Sequence, residues 1–186
     1  RRYNGGDVMQ EKDLYPGIRS WAERFLRERH PRMQVVVEDT SRSTVRDFLH
    51  RAGLSSFFPE TETFEIAVDI TGAAYREKGG KVQDVHLMIV EVKLGEISLR
   101  GLSQLLGYAR VVRPFYALIV SPQGWSKAIN RLVNHFGRTD ILEYMPYKGK
   151  GYSQVVVARW NLSTQEIRPG DTLLPNCFPT PLGSQL

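Results

Sequence analysis

Along residues 87–94 the alternation of a β-strand places Leu87, Ile89, Glu91 and Lys93 on one face and Met88, Val90, Val92 and Leu94 on the other. One face turns from apolar to charged within a few residues. An ion among such neighbours costs several kcal/mol unless it is paired, solvated or bound to metal. The end of this strand is therefore where chemistry is to be sought.

The elements around it follow from spacing and punctuation. Ile18, Trp21, Ala22, Phe25 and Arg29 share a helical face, Pro16 fits the first turn and Pro31 stops the pattern. Residues 33–38 read as a short β-branched strand, and 43–52 as a small helix with Ser43 as N-cap, Asp47 in its first turn and Gly53 at its end. Two strands are predicted at 64–71 and 85–94, joined through Gly79-Gly80 as a hairpin with a generous loop. In the first of them Ile66, Val68 and Ile70 form an apolar face and Asp69 lies opposite, so pairing brings Asp69 toward Glu91 and Lys93. A helix over 99–112 repeats Leu102, Leu105, Leu106 and Ala109 until Pro114 forbids it, and 115–120 is a buried strand. After a turn at 121–124 come a helix through Trp125, Ile129, Leu132 and Phe136, short strands near 141–145 and 155–160, and an irregular tail from Pro169 with Pro175, Pro179 and Pro181. This order predicts an α/β chain: a mixed central sheet flanked by helices, with a small helical insertion after the first strand. A single domain over 1–186 is expected, its core at about 11–145 and a C-terminal strand and tail over 146–186.

Composition removes several classes. The lone Cys177 excludes a disulfide framework, a four-cysteine iron–sulfur cluster and a zinc ribbon. No apolar run approaches the ~18 residues of a membrane span, and the opening arginines are followed by no apolar segment, so a soluble, cytoplasmic, nucleoid-associated protein is expected. The net charge of +5 is uneven: residues 97–160 hold nine Lys or Arg against two acids, leaving a net −2 for the rest. Arginine outnumbers lysine 18 to 7, and its planar fork suits phosphate. Nucleic acid is the leading partner, with a solvated basic face as the alternative.

Two carboxylates, Asp69 and Glu91, with the carbonyl of Val92 would form a hard oxygen site of the kind Mg²⁺ completes with water. Lys93 beside it would orient the attacking water and stabilise charge on a phosphodiester. The plain alternative is a salt bridge in which Lys93 neutralises Glu91 or Asp69. On the next helix Gln104 and Tyr108, four residues apart, share a face that Arg100 nearly joins.

Val68-Asp69, then Glu91-Val92-Lys93, then Gln104 and Tyr108 give a chain that resembles the PD-(D/E)xK nuclease superfamily, in its RecB-type branch with a Gln-x-x-x-Tyr helix. Residues 89–95 are a typical form of that family's central strand, and 11–16 resemble the opening of its first helix; the likeness spans about 11–120. It implies a restriction-endonuclease-like αβββαβ core, dependence on Mg²⁺ or Mn²⁺, and phosphodiester hydrolysis. Asp69, Glu91 and Val92 would bind the metal, with Lys93, Gln104 and Tyr108 completing the catalytic set. Val68 stands where the family has proline, and the first-helix glutamate has no clear counterpart, Glu11 being the candidate and Glu23 the fallback. Arg100, Arg110, Arg113 and Lys127 would form a basic wall for the phosphate backbone. His86 alternates away from Glu91 and is left out; His135 and Cys177 have no partner spacing.

No Gly-x-x-x-x-Gly-Lys-Ser/Thr loop is present, so the chain carries no nucleotide motor of its own. The expectation is a DNA nuclease of defence, repair or mobile-element biology, with homodimerisation bringing two sites to two strands. Its rivals are a catalytically idle module that binds nucleic acid or protein and a metal-free RNA-cleaving relative. DNA against RNA, and endo- against exonucleolytic cutting, stay open.

Overall fold

A computed structural model describes residues 9–146, 152–175, 177 and 178; Lys148, Lys150, Pro179 and Pro181 lie outside them. The elements in chain order are α1 (Tyr15–Arg29), β1 (Gln34–Asp39), α2 (Val45–Arg51), β2 (Ile70–Lys78), β3 (Lys81–Val92), α3 (Leu99–Val112), β4 (Tyr116–Ser121), α4 (Lys127–Asn130), β5 (Glu143–Pro146), β6 (Tyr152–Gln154) and β7 (Val156–Arg159). Five strands make one sheet in the order β1-β2-β3-β4-β7, and β5 pairs with β6 apart from it. The β1-β2 and β2-β3 pairs are antiparallel; β3-β4 and β4-β7 are parallel. The fold is thus α/β with a mixed sheet, and α3 supplies the crossover that a parallel β3-β4 pair requires.

Both faces of the central strands are covered. Leu87 and Ile89 of β3 and Ala117 and Ile119 of β4 pack with Leu102, Leu105, Leu106, Ala109 and Val112 of α3. On the other face Met88, Val90 and Val92, with Tyr116, Leu118 and Val120, pack with Ile18, Trp21, Ala22 and Leu26 of α1. Every residue of β4 is buried, as expected of a strand enclosed between helical layers. Among the described residues no helix is long and apolar enough to cross a membrane.

The helix over 99–112 lies where periodicity places it, and its cap is Ser98, whose Oγ accepts from the Gly101 N–H at 3.2 Å. Four expectations are corrected. Thr44, not Ser43, caps α2: its Oγ1 accepts from the Asp47 N–H at 3.1 Å while Asp47 Oδ2 accepts from the Thr44 N–H at 3.0 Å, a reciprocal box that outweighs a lone serine. Residues 64–69 are not strand, because the carbonyls of Phe64 and Ile66 accept from the N–H groups of Arg46 and Val45 at the start of α2. Alternation therefore breaks before β2, and Ile66 and Val68 pack on the α3 side while Ile70 packs on the α1 side.

The hairpin loop is two residues rather than generous. Lys78 pairs with Lys81, and Gly79 and Gly80 have φ of 60° and 71°, the positive pair that a tight, right-twisted hairpin demands. The polar stretch between the predicted strands is strand that projects into solvent. Finally, the helix after β4 is α-helical only over α4 and continues as a π turn, Arg131–His135. Phe136, expected on its apolar face, is 59% exposed.

Candidate active site

Because β2 and β3 run antiparallel, the start of one and the end of the other meet at one end of the sheet, where Ile70 pairs with Val90. Asp69, one residue before β2, bends across this end. Its Oδ2 accepts from the Val92 N–H at 2.7 Å and its Oδ1 accepts from the Tyr15 hydroxyl at 2.6 Å. Its carbonyl accepts from the Thr40 N–H at 2.9 Å, and the Thr40 hydroxyl donates to the Val68 carbonyl at 2.8 Å. The start of α1 and the end of β3 thus fix the carboxylate, and the residue after β1 fixes the backbone that carries it.

Glu91 lies on the α3 side of β3 with 7% of its side chain exposed, and its Oε1 accepts from Lys93 Nζ at 2.8 Å. Lys93 extends the pairing with β4, donating its N–H to the Val120 carbonyl at 2.9 Å. Its stem runs beside the first turn of α3: a Cβ added at Gly101 would stand 3.8 Å from Lys93 Cε. The hydrocarbon is covered there while 28% of the side chain stays open to solvent. Of the two candidate acids from the start of the chain, Glu11 reaches this end. It sits in a short 3₁₀ turn, Glu11–Asp13, and accepts from the Leu94 N–H at 3.3 Å. Glu23 is turned outward in an exposed ion pair with Arg27 at 2.6 Å.

Burial raises the Asp69 carboxyl above the ordinary carboxylate range; the hydrogen bonds from Tyr15 and Val92 and the charge of Lys93 oppose the shift, and Glu11 adds to it. Glu91 is raised in the same way, first by burial and then by Asp69 and Glu11, against the pull of Lys93. Burial alone would lower Lys93, but its hydrogen bond to Glu91 and the charges of Glu91, Glu11 and Asp69 outweigh it, so the ammonium persists at neutral pH. Burial, then the bond to Asp69, raise Tyr15, which stays a donor. Buried carboxyls pushed upward around one ammonium mark a place where cationic charge would be stabilised.

Among the described residues no three His, Cys, Asp or Glu side chains are grouped so as to hold a metal ion. The donors at this end are the Asp69 and Glu91 carboxylates with backbone oxygen, a set that suits a hard cation retaining several waters. Val92 lies beyond the last β2-β3 pair, at Ile70 and Val90, and so has left the ladder on the side where Asp69 stands.

Gln104 and Tyr108 are bonded to each other, the amide donating to the phenol oxygen at 2.9 Å. Gln104 is exposed one turn beyond Gly101, and Tyr108 is half-buried against the α3-side core. Of the four basic residues, two stand on helices whose first turns lie near this end. Arg100 is exposed beside Gly101, and Lys127 is exposed at the start of α4, whose lead-in is tied to the loop after Lys93. There the Ile97 N–H donates to the Gly124 carbonyl at 2.9 Å and the Ser126 N–H donates to the Ile97 carbonyl at 3.0 Å. Arg110 and Arg113 occupy the far end of α3, Arg110 lying about 14 Å along the axis from Gly101 and reaching toward the Glu143 carbonyl at 3.5 Å.

His86, five residues before Glu91 on β3, belongs to a separate group with His30, 3.0 Å away between their Nδ1 atoms, and is stacked on Phe115 with centroids 4.3 Å apart. The site residue that sequence spacing misses is Tyr15. It lies 54 positions from Asp69, and no local pattern links the two. Searches against protein-family models, curated proteins and solved structures find no match to this chain.

Proposed function

We propose that this chain hydrolyses phosphodiester bonds of nucleic acid, DNA foremost, with Mg²⁺ or Mn²⁺, as a PD-(D/E)xK-type nuclease on a restriction-endonuclease-like core. The observation that carries this reading is the convergence of Asp69, Glu91 and Lys93 at one end of β2 and β3, with both carboxyls raised by burial. An ion held by Asp69, Glu91 and the Val92 carbonyl would supply Lewis acidity toward a phosphoryl oxygen.

Each side chain has a distinct part in this reaction. Water adds to phosphorus, the bond to the leaving oxygen breaks, and that oxygen takes up a proton. Lys93 orients the water and stabilises the charge that builds on the phosphoryl oxygens. Tyr15 keeps Asp69 in one orientation, and Glu11 adds negative charge at the rim. Arg100 and Lys127 flank the incoming phosphates, with Gln104 and Tyr108 along the adjoining face of α3. Cutting both strands of a duplex calls for two copies of the site, hence a homodimer on DNA.

The test is cleavage of supercoiled plasmid, linear duplex, single-stranded DNA and RNA by the purified chain with Mg²⁺, Mn²⁺ or EDTA. Metal-dependent cutting is expected, and EDTA abolishes it. Lys93→Ala keeps metal binding by calorimetry and loses cleavage by at least about 100-fold, the scale of one lost electrostatic contact in a transition state. Asp69→Ala loses both. Unchanged cleavage in either variant overturns the site; cutting in EDTA overturns the metal; binding without cutting under every condition points to the idle module.

A further inference from the structure

Beyond α4 the chain makes a π turn, and its effect is to eject a ring. Ile129 is fully buried and Val133 is 3% exposed, so in a regular helix Phe136, seven residues after Ile129, would join their stripe. Instead the Phe136 N–H donates to the Arg131 carbonyl at 2.9 Å, five residues back. The wider turn swings the following residue off the apolar stripe by about the 100° that one helical residue subtends. Gly137, at φ 65°, then ends the segment. Phe136 is left the most exposed large hydrophobic residue among those described.

Its surroundings are cationic and amidic. Arg131 Cζ lies 6.0 Å from the Phe136 ring centroid, and the His135 ring meets it edge-on at 4.8 Å. Asn134 donates its amide to Asn130 Oδ1 at 2.9 Å. From Ser126 to Thr139 there is no acid. Arg138 is neutralised by Asp140 at 2.7 Å, but among the described residues no carboxylate pairs with Lys127 or Arg131. The root of the arm is the Gly124 and Ser126 bonding to Ile97, on the loop that follows Lys93.

We propose that residues 125–138 form a docking arm for single-stranded nucleic acid, in which an unpaired base stacks on Phe136 and the adjoining phosphates lie against Arg131 and Lys127. This rests on the nuclease reading for its direction, since the arm would lead a strand toward Lys93. The occupant follows from charge and shape: a polyanion answers the unpaired cations, and an unstacked base of a single strand offers a free face to an exposed ring, whereas bases inside a duplex are covered by their stacked neighbours. The arm therefore selects substrates with unpaired segments, such as frayed ends, flaps or single strands.

The test is binding in EDTA, where no cleavage intervenes, of a fluorescent mixed-sequence single strand and of the matching blunt duplex. Phe136→Ala weakens the single strand about tenfold, as expected for one lost stacking contact, and Phe136→Trp restores it; the duplex changes by less than about twofold. Arg131→Ala weakens both and flattens the dependence on salt. Single-strand affinity unchanged in Phe136→Ala, or lost equally for the duplex, overturns the arm. A variant that loses self-association while binding DNA normally also overturns it and assigns the ring to a second copy of the chain. Cleavage by the wild type is scored separately. Cutting without an effect of Phe136 sinks the arm alone, and a Phe136 effect without cutting sinks the nuclease alone.

Discussion

Asp69 has each side-chain oxygen engaged, and the shorter of the two bonds, 2.6 Å, comes from Tyr15. That phenol adds no charge; with the Val92 N–H it fixes one rotamer of a buried carboxylate. If Asp69 holds the metal ion proposed above, a group in this position is worth about 10- to 100-fold in affinity or rate. Tyr15→Phe keeps the ring in the α1-side core, where Tyr15 is 8% exposed, and costs about 1 kcal/mol of stability for the lost bond. Cleavage should fall at least about tenfold with a weakened Mg²⁺ titration. Thermal unfolding beside single-turnover cleavage checks this, and full activity in the variant would show that the Val92 N–H alone orients Asp69. The meeting of the acids and the lysine was legible in the sequence because alternation confines Glu91 and Lys93 to one face and pairing of two strands joined through Gly79-Gly80 returns the chain to Asp69. Tyr15 was not, because its partner is set by how α1 crosses the sheet.

Among the helices that begin on side-chain caps, α3 and α2 differ in what the cap serves. Ser98 caps α3 and Thr44 caps α2, and replacing either with alanine removes a bond worth about 1 kcal/mol. Of these two, it is α3 that starts against the carboxylate end of the sheet, where a Cβ added at Gly101 would stand 3.8 Å from Lys93 Cε. Ser98→Ala should therefore lower both the unfolding midpoint and cleavage, whereas Thr44→Ala lowers the midpoint alone. Equal loss of activity in both, measured at a temperature where each is folded, would show that the first turn of α3 does not position Lys93. Element boundaries were readable where local causes decide them, as in α3, with Leu102, Leu105, Leu106 and Ala109 in step and Pro114 beyond. They were unreadable where the decision is tertiary. Phe64 and Ile66 look like strand until α2 takes their carbonyls, and Ile129, Leu132 and Phe136 fit a straight helix until the turn widens.

At the scale of the molecule the sheet has two polar ends of opposite character. Opposite the carboxylates, where α1 runs out, His30 is 4% exposed, with Nε2 3.0 Å from the Tyr116 hydroxyl and Nδ1 3.0 Å from His86 Nδ1. Burial, then the neighbouring His86, lower the His30 pKa from 6.5 to about 4, with Arg29 adding and Asp84 opposing. Below 6.5 the unfolded chain takes up a proton that folded His30 refuses, so stability falls as pH drops from 6.5 to about 4 and is insensitive to this group above that window. The loss amounts to about 1–3 kcal/mol, toward the lower figure as far as water enters past His86, which keeps 17% of its side chain exposed. Asp69 and Glu91 act in the opposite sense. Raised in the fold, they cost stability once ionised and relieve that cost as pH falls through their folded values. Urea unfolding across this range should show the net slope, and His30→Gln, which can still bond to Tyr116, isolates the histidine. The wild type should lose stability relative to the variant from pH 6.5 downward, and the loss should level off near 4. A difference that does not change with pH would mean that folded His30 takes up its proton as readily as it does in the unfolded chain, and that burial among α1, β3 and β4 does not hold the ring neutral.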